Sequence, residues 1–319
     1  MAYGALASMT DADVADLIRK LGPLKAAKKI GCSERGLYQR RSKIEKRWGA
    51  LIAVPALNRQ KRVDPIQVPG RLSTKLQTGV IIVGSDAHYW PGDPTTAHRA
   101  LVAFCRTLKP AVVVMNGDLF DGASVSRHPA MGWESNPTVV QEIETVRERL
   151  AEIEKAAPKA LKYWPLGNHD ARFEARLVNQ APEYANVHGV HLKDHFPACW
   201  QPCMSVWVNN QIVIKHRFKG GIHATHNNTL WAGKTMVTGH LHSLKVTPFD
   251  DYNGTRYGVD TGTLADPYGP QFEYQEDNPR NHRSGFAVLS IRDGRLLPPE
   301  LVQVIGDGEV AFRGEVHRL

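Results

Sequence analysis

The chain has 319 residues, of which 42% are hydrophobic and 23% charged, an ordinary composition for a globular protein of one or two domains. No apolar run approaches the roughly 20 residues that cross a bilayer, and the first ten residues lack the features of a secretory signal. We therefore expect no membrane association and a cytoplasmic location. Four scattered cysteines are too few for a disulfide framework and predict reduced thiols.

The formal net charge of +8 is concentrated near the amino terminus. From Arg19 to Arg47 the sequence has eleven Lys or Arg residues against two glutamates, a net +9, which leaves −1 for the rest of the chain. Such a basic segment is expected where a separate module meets a polyanion. The alternative is a charged helix that only keeps the protein soluble.

Residues 1–52 predict a small helical domain. The first helix follows the cap Thr10 and ends at Gly22, the second runs from Pro23 to Gly31, and the third runs from Glu34 to Trp48 after the cap Ser33. On the third helix, Leu37, Ile44 and Trp48 are expected to face inward. The Pro- and Gly-broken stretch 53–79 is predicted to be a linker.

The stretch from Lys25 to Arg41, with its Gly-Cys-Ser turn before the last helix, resembles a helix-turn-helix. The resemblance implies that residues 1–52 bind nucleic acid, with DNA as the expected partner. The side chains placed away from the apolar face of the third helix, and so available to phosphates and bases, are Arg35, Gln39, Arg40 and Lys43.

Beyond residue 79, four motifs each follow a β-like apolar run. The runs are Val80–Val83, Ala111–Met115, Leu161–Leu166 and Thr235–Thr238. The motifs, in the same order, are Asp86-Ala87-His88, Gly117-Asp118-Leu119-Phe120-Asp121, Gly167-Asn168-His169-Asp170 and Gly239-His240-Leu241-His242. Because each motif begins where a strand ends, we expect the motif loops to converge at one edge of the sheet.

The order and spacing of these motifs resemble the calcineurin-like metallophosphoesterase family over about residues 78 to 319. The resemblance implies an α/β domain over residues 80–319, with two packed mixed β-sheets flanked by helices, after the small all-α helix-turn-helix domain. It also implies two divalent metal ions about 3.5 to 4 Å apart that share one carboxylate.

The resemblance assigns the metal ligands residue by residue. Asp118 bridges the two ions; Asp86, His88 and His242 complete one site; Asn168 and His240 help to complete the other. The family also uses a histidine at the end of a strand between the third and fourth motifs. His216, directly after an apolar run, fits best, and His223 is the alternative.

The resemblance implies a metal-bound water as the nucleophile and His169 as the general acid, oriented by Asp121. The ligand set mixes oxygen and nitrogen donors without thiolate, so manganese is expected, with iron or zinc as alternatives. A turn-capping role is the alternative for Asp121.

Gly122 stands where many family members that act on phosphomonoesters have an arginine, which favours a phosphodiester substrate. Together with the basic module, this predicts a nuclease acting on DNA. One alternative is a phosphomonoesterase acting on nucleotides or phosphoproteins, with Arg127 or Arg172 replacing that arginine; another is a DNA-binding accessory protein with a vestigial metal site. The chain has no P-loop, so an ATPase or other protein partner would be separate, and the domain pairing suits a bacteriophage protein. Strandedness, mode of cutting and oligomeric state stay open.

Overall fold

The computed structural model of the chain describes residues 3–53, 68–127, 132, 135–184, 187–278 and 281–319. The chain divides into two compact units, residues 1–65 and residues 66–319. Most of the predicted linker lies outside the described residues. At its described end, Leu72–Thr74 forms a strand that pairs with Val206–Val208, so ordered sheet structure begins before residue 80.

The amino-terminal unit is helical. Its helices are α1 (Tyr3–Ser8), α2 (Asp11–Leu21), α3 (Pro23–Ile30) and α4 (Glu34–Trp48). The hydroxyl of Thr10 accepts a hydrogen bond from the Asp13 amide, and Ser33 accepts one from the Gly36 amide, both at 3.2 Å. The predicted bounds of all three helices are confirmed: these caps begin α2 and α4, and α3 begins at Pro23 and ends before Gly31, whose φ is 76°.

The core of this unit includes the apolar faces of α2, α3 and α4. Leu37 and Ile44 of α4 are buried, as predicted. The prediction for Trp48 was wrong, because its side chain is 41% exposed. Trp48 is the last residue of α4, and its ring lies beside the guanidinium of Arg19, 5.9 Å away, instead of packing into the core.

The second unit contains α5 (Thr96–Leu108), α6 (Val139–Ala156), α7 (Asp170–Gln180) and α8 (Ala224–Ala232). Its strands in chain order are β1 (Leu72–Thr74), β2 (Gly79–Gly84), β3 (Val112–Met115), β4 (Leu161–Pro165), β5 (Trp200–Cys203), β6 (Val206–Val208), β7 (Ile212–Ile214), β8 (Thr235–Thr238), β9 (Lys245–Asp251), β10 (Gly254–Asp260), β11 (Gly285–Arg292), β12 (Arg295–Leu296), β13 (Glu300–Gly306), β14 (Glu309–Phe312) and β15 (Glu315–Arg318).

Within the described residues these strands form two mixed sheets. The first sheet has the order β1-β6-β7-β8-β10-β9. The second has the order β15-β14-β13-β11-β2-β3-β4-β5, with β12 beside β11. In the second sheet β2, β3, β4 and β5 are parallel, and in the first sheet β7, β8 and β10 are parallel.

The two sheets pack face to face, and the alternation of side chains along each strand builds the core between them. On β2, Ile81 and Val83 point into this core, where they join Ile214 of β7 and Val237 of β8. Ile82 points to the opposite face, which α5 and α6 cover. On the outer side of the first sheet, α8 packs against β8, β9 and β10. The predicted fold class, two packed mixed sheets flanked by helices, is confirmed.

The described chain has no helix with the length and apolar character needed to cross a membrane. All four cysteines are free thiols, as the sequence predicted.

Candidate metal centre

The four motifs lie at the carboxyl ends of parallel strands, but from two sheets instead of one. The first three motifs follow β2, β3 and β4 of the second sheet, and the fourth follows β8 of the first sheet. His216 follows β7, next to β8. The sequence predicted a single sheet edge because it carries no direct sign of which strands pair. The site therefore lies where the ends of both sheets meet.

The structure brings the predicted metal ligands together in buried clusters. Asp86, His88 and His242 form one group whose ligand atoms lie within 4.8 Å of one another. Asp118, His216 and His240 form a second group by the same measure. These groups coincide with the two ligand sets that the family resemblance implies.

Asp118 lies between the two groups. Its Oδ2 atom is 3.1 Å from Nε2 of His216 and 4.0 Å from Nε2 of His88. Asn168 belongs to the same centre, because its Oδ1 atom is 3.1 Å from Nε2 of His216. Asp118 is thus placed to serve both groups, as a bridging carboxylate must.

Three histidines aim one ring nitrogen at the centre because the other nitrogen is held outside it. His216 Nδ1 lies 2.9 Å from the carbonyl oxygen of Asn116, and His242 Nδ1 lies 3.3 Å from Nδ1 of His282. His88 Nδ1 lies 2.8 Å from Oδ1 of Asp121. Metal-binding histidines are usually oriented by such a bond to the second ring nitrogen.

The fit of these residues to a metal ion is tested by His88. Its side chain is buried, and among the described residues its Nε2 atom has no hydrogen-bond partner. A buried polar atom without a partner costs about 1 to 3 kcal/mol. With Nδ1 bonded to Asp121, the Nε2 lone pair is available to a cation, so the donor set fits a metal site.

The backbone at the ligand positions is strained. The non-glycine residues here with φ in the left-handed region are Asp86 (51°), His88 (39°), Asp118 (53°), His240 (72°) and His242 (55°). Each such residue costs about 1 to 3 kcal/mol, and this strain clusters at functional sites. These left-handed residues turn the chain sharply after β2, β3 and β8.

Two motif positions require glycine, because the backbone there passes too close to a buried carboxylate to leave room for a side chain. A Cβ atom on Gly167 would lie 2.0 Å from Oδ1 of Asp118, and one on Gly239 would lie 2.3 Å from Oδ2 of Asp86. Real Cβ atoms do not approach other atoms so closely, and backbone and buried carboxylates cannot yield here. Any side chain at either position would displace a candidate ligand.

The charges of the centre are strongly coupled. Burial alone would raise the pKa of Asp86, but the neighbouring His242 and His216 lower it to about 2. Burial would lower the pKa of His216, but the carboxylates of Asp86 and Asp118 raise it to about 10. Without a metal, a proton on His216 therefore balances the carboxylates that a cation would otherwise neutralise.

His169 and Asp121 are in contact, as the family resemblance implies. His169 Nδ1 lies 2.9 Å from Oδ1 of Asp121, the same oxygen that holds His88. Burial would lower the pKa of His169, but the hydrogen bond to Asp121 and the charge of Asp118 raise it. The amide of His169 also donates to Oδ1 of Asp118 at 2.7 Å, which places this imidazole beside the metal ligands.

Arg172 lies beside this pair. Its guanidinium donates to the carbonyl of Asp121 at 2.9 Å, and one of its terminal nitrogens is 3.1 Å from Nε2 of His169. Arg172 is one of the two arginines that the sequence offered as a substitute phosphate clamp. The other, Arg127, is exposed.

Sequence reasoning gave Asp170 no role, although it belongs to the third motif. Its buried carboxylate accepts hydrogen bonds from five N–H groups of β4 and of the second and third motifs, at 2.9 to 3.1 Å: Trp164 Nε1 and the amides of Gly167, Asp118, Leu119 and Phe120. Asp170 therefore ties together the loops that carry Asp118 and Asn168.

His282 and Phe272 were also missed as parts of the site. The ring of His282 lies 4.4 Å from that of His242, centroid to centroid. The buried ring of Phe272 packs against His88 and His242. Both come from the segment between β10 and β11, far along the chain from the motifs, and their spacing carries no signal.

His223, the alternative ligand, lies outside the centre. It is exposed and begins α8, whereas His216 is buried within the second group. Of the side chains predicted to contact nucleic acid, Arg35, Gln39 and Lys43 are exposed on α4. Arg40 is instead half-buried, and it donates to Oδ1 of Asp11 at 2.7 Å. A role for Arg40 as a free DNA contact is therefore not supported by its surroundings.

No protein-family model matches the chain, and no curated protein matches it significantly. Among solved structures the chain is similar to Vps29 of Entamoeba histolytica complexed with zinc, at 16% identity over 75% of this chain and 98% of that chain, with a TM-score of 0.40. It is also similar to Vps29 of Chaetomium thermophilum, at 11% identity over 75% of this chain and 96% of that chain, with a TM-score of 0.38. At these TM-scores the likeness carries no argument about the activity of this chain.

Proposed function

We propose that the chain is a member of the calcineurin-like metallophosphoesterase family and acts as a two-metal phosphodiesterase, specifically a nuclease on DNA. The observation that carries the proposal is the convergence of four separate motifs on two adjacent ligand groups with Asp118 between them. Chance would rarely bury so many carboxylates and imidazoles together, because each is costly to remove from water without a partner.

The proposed ligands for one ion are Asp86, His88 and His242, those for the other are Asn168, His216 and His240, and Asp118 is shared. When bound, two divalent ions, most simply manganese, supply the positive charge that polarises a phosphate ester and activates water. The donor atoms are oxygens and imidazole nitrogens, which suits manganese, iron or zinc.

The chain's own contribution to the reaction is proton delivery by His169. Asp121 accepts the Nδ1–H bond and stabilises the charged imidazole, so Nε2–H is the proton available to the leaving oxygen. Arg172 now lies against that nitrogen, so it must move aside when His169 donates. Its guanidinium can then contact the phosphate.

Two observations support DNA as the substrate. Gly122 directly follows Asp121, in place of the arginine that a phosphomonoester dianion favours. The amino-terminal unit exposes Arg35, Gln39 and Lys43 on one helix within the basic segment. Such a tethered module raises the local concentration of DNA near the centre without changing the chemistry.

A phosphomonoesterase is the second candidate, because Arg172 is close enough to His169 to grip a terminal phosphate. Arg172→Ala separates the two activities. If Arg172 is a monoester clamp, the variant loses far more activity towards p-nitrophenyl phosphate than towards bis(p-nitrophenyl) phosphate. A vestigial centre is disfavoured, because every ligand position implied by the family is filled by a suitable residue.

The experiment for the mechanism compares leaving groups in the presence of manganese. p-Nitrophenolate leaves without a proton, whereas the alkoxide of a DNA diester requires one. We expect His169→Ala to lower kcat on DNA by about 10²- to 10⁴-fold and to affect bis(p-nitrophenyl) phosphate much less. His223→Ala, at an exposed site outside the centre, is the control and should leave both rates unchanged. Equal losses on both substrates in His169→Ala would contradict the general-acid role.

A further inference from the structure

The segment around α8 is unusual in charge. Between residues 195 and 249 the sequence contains no aspartate or glutamate, although it contains five Lys or Arg residues. The whole chain has 32 acidic residues in 319, so between about five and six would be expected in a stretch of this length. The segment includes β7, β8, α8 and three of the proposed ligands. Three of its five cations, Lys215, Arg217 and Lys219, follow directly after β7, on either side of the proposed ligand His216 and just beyond it.

Aromatic side chains are exposed within this positive segment. Trp231 of α8 is 70% exposed and Phe218 is 44% exposed. Lys219 Nζ lies 4.5 Å from the ring centroid of Trp231 and 5.6 Å from that of Phe218, and Lys215 Nζ lies 5.3 Å from Phe218. We call Phe218 and Trp231, with Lys215, Arg217 and Lys219, the aromatic platform.

The aromatic platform is held in place by contacts outside it. The buried side chain of Asn228 accepts a hydrogen bond from the amide of Lys219 at 2.8 Å, which folds the loop back onto α8. Lys245 Nζ donates to the carbonyl of Ile222 at 2.6 Å and anchors the end of the same loop. The platform is therefore prearranged, which reduces the entropy cost of binding.

The platform begins at the metal centre. Lys215 and Arg217 flank His216, a proposed ligand. Lys219 is three residues beyond His216, and three residues of extended chain span at most about 11 Å. A strand of nucleic acid lying on the platform would therefore have a phosphate within reach of the centre.

We propose that the aromatic platform binds single-stranded nucleic acid and leads it into the metal centre. Proteins that bind single strands combine cations, which contact the phosphate backbone, with exposed aromatic rings, on which the bases stack. The platform has both kinds of side chain. Duplex bases already stack on one another and offer no free face, so the platform selects single strands. This inference rests on the proposed nuclease function and adds the substrate form.

The test measures binding without cleavage, using the full chain in EDTA and a fluorescein-labelled oligothymidylate or a DNA duplex. Trp231→Ala is expected to weaken single-strand binding about tenfold and duplex binding less than twofold. Trp231→Phe keeps a stacking face and should retain most of the affinity. Lys219→Ala should also lower the slope of log affinity against log salt by about 0.7.

Matched controls come from the same unit. Tyr252→Ala removes an exposed aromatic ring that lies beside Asp250 and Asp251, and Lys159→Ala removes an exposed lysine just before β4, at the sheet end opposite the motifs. Neither control should change single-strand binding. Photo-crosslinking of a bromodeoxyuridine-substituted oligonucleotide, followed by peptide mapping, separates binding at the platform from binding at α4.

The proposal is overturned if Trp231→Ala and Lys219→Ala bind single strands as the wild type does, if duplex binding weakens equally, or if no crosslink maps to residues 215–231. The first result would mark the platform as a protein-docking face. If single-strand binding depends on the platform but no metal-dependent cleavage is found, the binding proposal stands and the nuclease proposal is rejected. If the platform variants Trp231→Ala and Lys219→Ala cleave DNA as the wild type does, the binding proposal is rejected and the nuclease proposal stands.

Discussion

Two histidines close together in the sequence, His216 and His223, have opposite surroundings. His216 is buried with Nε2 between Asp118 and Asn168, whereas His223 is exposed at the start of α8. We expect His216→Ala to lower the number of manganese ions bound from two to one, and His223→Ala to leave it at two. Native mass spectrometry of each protein counts the ions. The ligand assignment fails if both variants bind alike.

Glu142 of α6 carries a buried carboxyl group that affects stability. One oxygen accepts the amide of Gly122 at 2.7 Å, and the other has no hydrogen-bond partner among the described residues. Burial raises the pKa of Glu142 from 4.5 to about 7. An acid whose pKa is raised by folding stabilises the fold at low pH, and this contribution is lost as the pH rises from about 4.5 to about 7.

Glu142→Gln removes this titration. In metal-free protein, we expect the variant to be more stable than the wild type by roughly 3 kcal/mol at pH 8 and similar to it at pH 4.5, at about 1.4 kcal/mol per pKa unit. Urea unfolding at several pH values measures the difference. A constant difference between the two proteins across this range would show that Glu142 does not titrate as its burial requires.

The sequence identified motif side chains that the fold gathers into clusters, but it did not identify the residues that hold them there. Asp86, His88 and Asp118 were found because each lies at a fixed place in a motif after an apolar run. Glu142 and His282 act through contacts between residues distant in the chain, and only the folded backbone brings them to the site.

At the scale of elements, the ends of β3 and β4 are joined by Asp170. Its carboxylate accepts hydrogen bonds from five N–H groups. The positions of the loops of the second and third motifs therefore depend on one buried carboxylate. Asp170→Asn replaces one carboxylate oxygen with an NH2 group, which would face the N–H groups that now donate hydrogen bonds to that oxygen. We expect a loss of roughly 3 kcal/mol in the free energy of unfolding and weaker manganese binding.

Asp307→Asn is the control for this variant, because the Asp307 side chain is 97% exposed and its pair with Arg99 is at the surface. Such pairs contribute little to stability. Calorimetry and urea unfolding of both variants give the comparison. A stability for Asp170→Asn within 0.5 kcal/mol of the wild type would contradict the anchoring role.

On α4, Lys43 and Arg40 are expected to act differently. Lys43 is exposed, so Lys43→Ala should weaken DNA binding and reduce the salt slope by about 1, without affecting folding. Arg40 bonds to Asp11, so Arg40→Ala should lower the melting temperature. Salt-dependent fluorescence anisotropy and thermal unfolding measure the two effects. A normal salt slope in Lys43→Ala would argue against α4 as the DNA-contacting helix.

Element boundaries were predictable where a side chain ends the element locally. Thr10 and Ser33 cap their helices through hydrogen bonds to amides only three residues further along the chain. The local sequence therefore contains everything needed to predict where these helices begin. β1 was assigned to the linker, because a three-residue strand has no period of its own and exists only by pairing with β6. The prediction that Trp48 faces the core was wrong for a related reason. Apolar character alone does not place a residue at the end of a helix inside the core.

At the scale of the whole molecule, net charge concealed a local asymmetry. Outside residues 19–47 the net charge is −1, yet residues 195–249, which include the proposed ligand His216, contain five Lys or Arg residues and no Asp or Glu. Acidic residues elsewhere cancel this excess in the sum. The fold matters here because it places Lys215, Arg217 and Lys219 at the carboxyl end of β7, next to the candidate metal centre.

The most direct measurement is cleavage of end-labelled single-stranded and duplex DNA by the full chain with manganese, beside a chelator control and His169→Ala. We expect metal-dependent cleavage that is stronger on single strands, is abolished by the chelator and falls at least about 100-fold in His169→Ala. The absence of cleavage of either DNA by protein that binds two manganese ions would contradict the proposed nuclease function.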